Sequence, residues 1–150
     1  MTEITRKVGT IKNGVVIDHI TNGKGLEISK ILKLDQFFEF VVIAQNLNSN
    51  KLGKKDLIKI EGKELTIDEL NKIALITKSP TINIIRDQKI FLKKKVEIPK
   101  TVDNILICNN PNCISNTENI NSKFHNIDLE KIDLICHYCE KKQNEIKIKK

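Results

Sequence analysis

The sequence has little aromatic character. It contains no tryptophan and one tyrosine, Tyr138, and aromatic residues make up 4% of its 150 residues. Proteins that bind single-stranded nucleic acid usually present aromatic side chains on which the bases stack. Most of the phenylalanines here lie in apolar, strand-like stretches that are typical of core packing. We therefore expect no nucleic-acid partner.

Long apolar runs are also missing. No stretch approaches the roughly 18 apolar residues that a transmembrane helix needs. The N-terminal segment MTEITRKVGTIKNG lacks the apolar core of a signal peptide. We therefore expect a soluble, cytoplasmic protein with no membrane partner.

The usual signatures of catalytic and nucleotide sites are absent as well. The sequence shows no Ser/His/Asp set and no paired carboxylates in a recognisable catalytic motif. It has neither a Walker-type glycine-rich loop nor a GxGxxG turn between a strand and a helix. We expect that the chain is not an enzyme.

Positive charge, in contrast, is abundant. Lysine and arginine number 26 against 19 acidic residues, which gives a formal net charge of +7. Such an excess favours polyanionic partners: nucleic acid, free nucleotides or an acidic protein surface. Charge does not choose among these three, and a solvated lysine-rich surface is the alternative to all of them.

Short β-branched runs and two amphipathic stretches fill the first two thirds of the chain. Within the strand-like KKDLIKI, alternation places Ile58 and Ile60 on one face and Lys59 on the other. Residues 66–69 fit a capping box, which indicates the start of a helix. The order strand, helix, strand, strand, helix, strand resembles the ferredoxin-like arrangement. The predicted strands cover 15–20, 37–44, 54–60, 81–85 and 89–92, and the predicted helices cover 24–33 and 66–79.

Four cysteines dominate the last third of the chain. Four residues separate Cys108 from Cys113, two separate Cys136 from Cys139, and 22 separate the two pairs. Each short loop can present two thiolates to one ion, and four sulfurs complete the tetrahedral shell of a structural zinc. We predict one structural Zn²⁺ per chain, with a rubredoxin-type iron as the competing metal.

Histidines near these cysteines are not needed as ligands, because four sulfurs already fill the shell. We therefore interpret His125 and His137 as surface residues. The segment Pro99-Lys100-Thr101 predicts a boundary between two domains. We predict an α+β protein, with a ferredoxin-like domain over 1–99 and a small, mostly β, zinc-ribbon or rubredoxin-like domain over 100–150.

Several strings in the sequence go beyond generic patterns. Together they resemble the regulatory chain of aspartate carbamoyltransferase over nearly the whole length, with matching cysteine spacing. A basic zinc ribbon that binds RNA or DNA would explain the charge and the cysteines but would not need VIDHI or KKDLIKIE. The strings are VIDHI at 16–20, GKKDLIKIE at 53–61, TIN at 81–83, VDNILICNNPNCIS at 102–115 and ICHYCEK at 135–141.

The resemblance implies a non-catalytic subunit of pyrimidine biosynthesis. Its N-terminal domain would bind the nucleoside triphosphates CTP and ATP, with UTP as a third candidate, and its zinc domain would transmit allosteric control to the catalytic chain. The sign of each response stays open. The family's effector-site pattern falls on Val8, Ile11, Asp18, His19, Lys59, Asn83, Ile85, Ile90 and Lys93.

These residue types suit a nucleotide. Lys59 and Lys93 can supply fixed cations to phosphates, His19 can donate to phosphate, and Asp18 can accept from ribose hydroxyls or a base amino group. The consecutive lysines 93–95 leave open which one reaches the phosphates. The family often has an aromatic residue where Gln88 stands.

The resemblance also implies an assembly. Asn110 and Asn112 match positions that contact the catalytic chain, and they lie in the loop from Cys108 to Cys113, which we call the first knuckle. Further candidates beside the second knuckle, the loop 136–139, are Tyr138 and Glu140. The regulatory chains would form homodimers through the N-terminal sheet. Three such dimers would join two catalytic trimers in a dodecamer.

Overall fold

A computed structural model describes residues 10–149. The chain divides into an N-terminal unit that ends at Val96 and a C-terminal unit that begins at Glu97. Both units mix helix with sheet, so the predicted α+β class is confirmed. No helix within the described residues has the length and apolarity needed to cross a membrane.

The N-terminal unit carries a five-stranded antiparallel sheet of order β2-β3-β1-β4-β5 within the described residues. The strand order matches the predicted ferredoxin-like arrangement, with β5 added as an edge strand beside β4. Its elements are β1 (Gly14–Thr21), α1 (Gly25–Ile31), β2 (Val41–Ser49), β3 (Gly53–Glu61), α2 (Ile67–Ile76), β4 (Thr81–Arg86) and β5 (Lys89–Lys95).

Both predicted helices are confirmed, and α2 begins as its sequence indicates. The Thr66 hydroxyl accepts a hydrogen bond from the Glu69 N–H at 3.1 Å, and the Glu69 carboxylate accepts one from the Thr66 N–H at 3.0 Å. This reciprocal box satisfies donors that the first turn of a helix leaves without partners.

The strand predicted over 37–44 is the main error in the secondary structure. The chain first makes a 3-10 turn at Leu34–Gln36, and β2 then runs over Val41–Ser49, so that it overlaps the prediction at 41–44 and continues beyond it. Phe38 is fully exposed, so its apolar character reflects something other than burial in this sheet. A pairing irregularity near Asn46, whose φ is 62°, lets β2 continue along β3.

The two faces of the sheet differ. We call the face that packs against the helices the back face, and the opposite face the front face. Ile17, Ile58 and Ile82 contribute to the apolar cluster of the back face, with Ile28 and Ile73 from the helices. A smaller front-face cluster consists of Ile11, Val16, Leu47, Leu57 and Ile85.

A buried carboxylate joins the sheet to the start of α1. Asp56 accepts hydrogen bonds from the N–H groups of Gly23 at 3.0 Å, Gly25 at 2.9 Å and Asn46 at 3.2 Å, and from the Asn22 side chain at 3.0 Å. A carboxylate with several donors tolerates burial. A Cβ at Gly25 would stand 3.0 Å from this side chain, so a larger residue there would press on the Asp56 carboxylate.

The C-terminal unit is small and mostly β. Its three strands form a sheet of order β6-β7-β8 within the described residues. Phe124 and Val102, partners in this sheet, are fully buried. The elements are β6 (Thr101–Asp103), α3 (Ile114–Thr117), β7 (Lys123–Asn126) and β8 (Leu134–Cys136).

Candidate functional site

The front face of the N-terminal sheet carries a polar row. Strand register places Lys59 beside Val16, Val16 beside Asn83, and Asn83 beside Lys93. Because paired residues in adjacent strands point to the same face, two cations and an amide lie in one line across four strands.

Lys59 is fully buried within this row. Burial lowers the pKa of its ammonium, because removal from water penalises the charged form, and the nearby Asp18 carboxylate opposes this effect. Asp18 itself forms an ion pair with Lys55 at 2.8 Å. Burial alone would raise the pKa of Asp18, but the hydrogen bonds from Lys55 and the His19 N–H lower it below its ordinary value.

His19 lies at an irregularity of β1, with a φ of 55°. Its Nδ1 stands 3.1 Å from the Thr81 hydroxyl. Burial lowers the pKa of the imidazole, the Asp18 carboxylate raises it, and Lys55, Lys51 and Lys93 lower it further. An anion placed among these cations would reverse part of that effect.

Asn83 supplies the least satisfied polar group of the front face. Its side chain is buried, yet its Oδ1 has no hydrogen-bond partner within the part of the chain that the structure describes. Buried acceptors in folded proteins almost always find a donor. The amide oxygen is thus available to a donor on a bound molecule.

Apolar residues lie at one end of the front face. Ile11 and Ile85 are buried, and Ile90, the register partner of Ile85, is exposed.

The segment before β1 is held by hydrogen bonds. The Glu61 carboxylate accepts from the N–H groups of Lys12 at 3.2 Å and of Asn13 at 3.1 Å. The Gln88 N–H donates to the carbonyl of residue 12 at 2.9 Å.

The lysine run is divided by the strand. Lys93 pairs with Asn83 and Lys95 with Thr81, so both lie on the front face, whereas Lys94 pairs with Ile82 and lies on the back face. The sequence left these three equivalent. The structure brings Ile11, Asp18, His19, Lys59, Asn83, Ile85, Ile90 and Lys93 to the front face, and Val8 lies outside the described residues.

Sequence reasoning missed one contributor to this face. Thr81 contacts His19, and it lies opposite Asp18 in the pairing of β4 with β1. The signal was available in principle, because the residue follows Pro80 at the start of a predicted strand. Threonine is so common in strands, however, that composition alone does not mark it.

The four cysteines of the C-terminal unit converge. The Sγ atoms of Cys108 and Cys139 are 3.7 Å apart, those of Cys113 and Cys136 are 3.6 Å apart, and all four lie within 4.8 Å of one another. A tetrahedral ion with metal–sulfur distances of ~2.3 Å would separate its sulfurs by about 3.8 Å. The cluster therefore fits a single metal ion.

The thiols differ in their surroundings. Burial raises the pKa of Cys108 to about 12. Burial would also raise that of Cys139, but hydrogen bonds from the Lys141 N–H, the Asn110 side chain and neighbouring thiols lower it to about 7. Gln143 Nε2 lies 3.6 Å from the Cys108 sulfur, a supporting contact that the sequence did not reveal.

The knuckle residues fall into two groups. Asn110 is directed inward: its Oδ1 accepts from the Asn112 N–H at 3.1 Å and its side chain contacts a cysteine sulfur. Asn112, Tyr138 and Glu140 are exposed, although the Tyr138 hydroxyl donates to the Asn121 carbonyl at 3.0 Å.

The two histidines of this unit contact each other. His125 Nε2 stands 2.9 Å from His137 Nδ1, and the rings of His137 and Tyr138 form a T-shaped contact. His137 is exposed and His125 is half-buried. Neither belongs to the group of side chains that could hold one metal ion within the described residues, which is the cysteine cluster alone.

Comparisons with known proteins agree with this division. The family model described as "Aspartate carbamoyltransferase regulatory chain, allosteric domain" matches residues 6–97, and the model described as "Aspartate carbamoyltransferase regulatory chain, metal binding domain" matches residues 100–149. The C-terminal unit is therefore a metal-binding domain.

Individual relatives cover nearly the whole chain. The chain is 49% identical over 144 residues to the aspartate carbamoyltransferase regulatory chain of Pyrococcus abyssi, with 95% of each chain covered. It is 48% identical over 144 residues to that of Methanococcus maripaludis, with 96% of this chain and 97% of the relative covered. These relatives are named as regulatory chains, which supports a regulatory, non-catalytic subunit. The chain belongs to the family of aspartate carbamoyltransferase regulatory chains.

Proposed function

We propose that the front face of the N-terminal sheet binds nucleoside triphosphates as allosteric effectors, namely CTP and ATP, with UTP as a third candidate. The observation that carries this proposal is the row of Lys59, Asn83 and Lys93 across the sheet. Two positioned cations suit a polyphosphate, and a buried acceptor for which the described residues offer no donor suits a base or sugar donor.

Within this proposal the residues divide the ligand among them. Lys59, Lys93 and His19 take the phosphates, because all three can donate while positively charged. Asp18 accepts from the ribose, held in place by its ion pair with the Lys55 ammonium. The base lies toward the apolar end, where Ile11, Ile85 and Ile90 are found, and Val8 stays a predicted contact.

A charge-removing substitution tests the phosphate contacts. Lys59→Met keeps the apolar stem and removes the ammonium, and a lost charged hydrogen bond costs about 1.5–3 kcal/mol, or about ten- to a hundredfold in affinity. Calorimetry should show a larger loss for CTP than for CMP. The matched control is Lys94→Met on the back face, which should leave CTP affinity unchanged. Equal CTP affinity in Lys59→Met and the unsubstituted chain would remove this residue from the site.

We further propose that the metal is Zn²⁺, one per chain, in a purely structural role. Four thiolates leave no open coordination position for a substrate. Elemental analysis of the purified chain should give one zinc per chain, and iron in place of zinc would refute the assignment.

The C-terminal unit is proposed to dock on the catalytic chain of aspartate carbamoyltransferase. Asn112, Tyr138 and Glu140 are exposed there and offer side chains to a partner. Asn110 would support the docking loop through its bond to the Asn112 N–H. Sedimentation of mixed chains should show that Asn112→Ala weakens assembly, whereas the exposed Asn144→Ala should not. Unchanged assembly in both variants would exclude Asn112 from the interface.

The chain is proposed to form a homodimer through β2. This strand is an edge of the sheet, and Phe38, Phe40 and Ile43 are exposed on it or just before it. Pairing two identical edges is a common way to protect an apolar edge strand. Phe40→Asp should shift the isolated chain toward monomer in sedimentation, whereas Phe91→Asp on the opposite edge should not. A chain that is already monomeric at tens of micromolar would contradict this proposal.

Together these proposals describe a cytoplasmic dodecamer of pyrimidine biosynthesis, with three regulatory dimers linking two catalytic trimers. Nucleotide binding on the front face would be transmitted through the metal domain to the catalytic chains. The decisive measurement is carbamoyl transfer by the catalytic trimer with and without this chain. A CTP or ATP response should appear only when the chain is present, and a response by the trimer alone would refute the division of roles.

A further inference from the structure

A cavity lies on the back face of the N-terminal sheet. It has a volume of about 430 Å³. One residue, Ile85, lines it and also belongs to the front-face set. Its apolar lining is formed by Val15, Leu65, Leu70, Ile82, Ile84 and Ile85.

Charged side chains surround this apolar lining. Lys63, Arg86 and Lys94 contribute positive charge, and Glu64 contributes one negative charge. The Lys63 ammonium is already paired with the Glu69 carboxylate at 3.0 Å. Arg86 and Lys94 then remain against Glu64, so the lining keeps an excess of one positive charge.

Strand pairing and one ring contact bring these two cations to the cavity. The Arg86 guanidinium lies 4.1 Å from the centroid of the Phe91 ring, a cation–π contact that orients it. Lys94 is placed by its pairing with Ile82, whose side chain lines the same cavity. Lys94, the lysine of this run that lies on the back face, is therefore placed at this cavity.

The chemistry of the lining defines the ligand class. A nucleoside triphosphate is disfavoured, because most of the lining is aliphatic and the Glu64 carboxylate lies among its cations, where it would repel several phosphate charges. An apolar body would displace water from the leucine and isoleucine side chains, and one anionic group would meet Lys94 or Arg86. We propose that this cavity binds a small molecule with an apolar body and a single anionic group, such as a carboxylate.

Methyl NMR of the full, metal-loaded chain tests the proposal with decanoate as the probe. Methyl signals of Leu70, Ile82 and Ile84 should shift saturably, with a Kd of about 1 mM or tighter. The methyl signals of Ile11, on the front face, should shift much less. Decanol, which has the same chain without the charge, should bind more weakly. A parallel titration with 4-phenylbutyrate distinguishes an aliphatic from an aromatic preference, and saturable binding of either acid supports the site.

Neighbouring lysines provide the matched variants. Lys94→Glu should weaken decanoate binding by about fivefold or more, the upper range for one exposed ion pair. Lys95→Glu makes the same charge change on the front face and should leave binding unchanged. The proposal is overturned if neither acid produces a saturable shift up to about 10 mM, if decanol binds as tightly as decanoate, or if both variants lose binding equally.

Discussion

The two units of this chain reach stability by different means. The N-terminal unit buries apolar side chains on both faces of a five-stranded sheet, including Ile17 and Ile58 on the back face. In the C-terminal unit a three-stranded sheet and four clustered sulfurs replace such a double-sided core. The buried aliphatic and aromatic residues described there are only Val102, Ile105, Leu106, Phe124 and Leu134. Small domains with few buried apolar groups commonly need a metal to fold, which is the lesson of the contrast.

Loss of the metal should produce the largest difference in stability between the two units. Structural zinc in small sites contributes on the order of 10–16 kcal/mol of apparent binding free energy, which there is folding free energy. Cys136→Ser, or treatment with a mercurial, should therefore unfold the C-terminal unit and leave the N-terminal unit folded. Amide hydrogen exchange should show lost protection after residue 97 and retained protection in β1 and β3.

The functional result of that change should be equally selective. The treated chain should still bind CTP but no longer assemble, so that the catalytic chain stays active and ceases to respond to nucleotides. A metal-free chain that still forms the complete assembly and transmits inhibition would show that the two units do not divide their roles in this way.

A core truncation should produce the opposite pattern. Ile17 is fully buried, and replacing a buried isoleucine by alanine costs about 2–5 kcal/mol. Ile17→Ala should lower the urea midpoint of the N-terminal unit, followed by circular dichroism, while elemental analysis shows unchanged metal content. Parallel loss of metal would indicate that the two units fold as one.

A smaller effect should follow from removing the cap of α2. Thr66→Ala deletes the hydroxyl that accepts from the Glu69 N–H, and lost N-caps cost about 0.5–2 kcal/mol. The thermal midpoint of the N-terminal unit should fall, and Thr66→Ser should restore most of it because serine offers the same acceptor. Equal midpoints for the alanine and serine variants would contradict a capping role.

The pH dependence of nucleotide binding should give the smallest change. The His19 pKa is held below its ordinary value of 6.5, mainly by burial, so the free chain carries this imidazole largely uncharged near neutrality. Phosphates would raise that pKa, so CTP binding should take up a proton and weaken as pH rises between the free and bound pKa values. Calorimetry in buffers of different ionisation enthalpy measures this uptake.

The same depressed pKa has a consequence for the unliganded chain. Because folding disfavours the charged imidazole, the unfolded chain binds more protons than the folded chain between the two pKa values of His19. The free energy of unfolding therefore decreases as pH falls from the ordinary pKa toward the lower pKa of the folded chain. His19→Gln should remove both the proton uptake and this slope. Proton uptake that persists in the variant would place it on another group.

Sequence reasoning was most successful where one local pattern decided the structure. The Thr66 capping box, the strand with Ile58 and Lys59 on opposite faces, and the paired cysteines all involve neighbours within a few residues. It was less accurate for the second strand, which it placed over 37–44 and which runs over Val41–Ser49, because the apolar residues before Val41 were taken for buried ones. Phe38 is exposed, so its apolar side chain does not mark a position in this sheet.

The details of the candidate sites depended on distant partners, which single-chain patterns do not contain. The pairing of Asp18 with Lys55, and the contact of Gln143 with the Cys108 sulfur, join residues that lie far apart in the sequence. Likewise, it is the register with β4 that places Lys93 and Lys95 on the front face and Lys94 on the back face. The sequence therefore indicated which residue types each site would use, but not which of those residues would contact one another.

The pairing of β5 with β4 makes the three lysines a safeguard against insertion and deletion. The register already contains an irregularity between Ile84 and Ile85, so the strand tolerates an extra residue at its turn. If it slipped by one position, Lys94 would come to lie beside Asn83, and another lysine would lie beside Ile82. Both faces would keep a cation. Three consecutive lysines thus keep a positive charge on each face after a shift of one residue. In a strand of alternating charged and apolar residues, the same shift would exchange the charged and the apolar face.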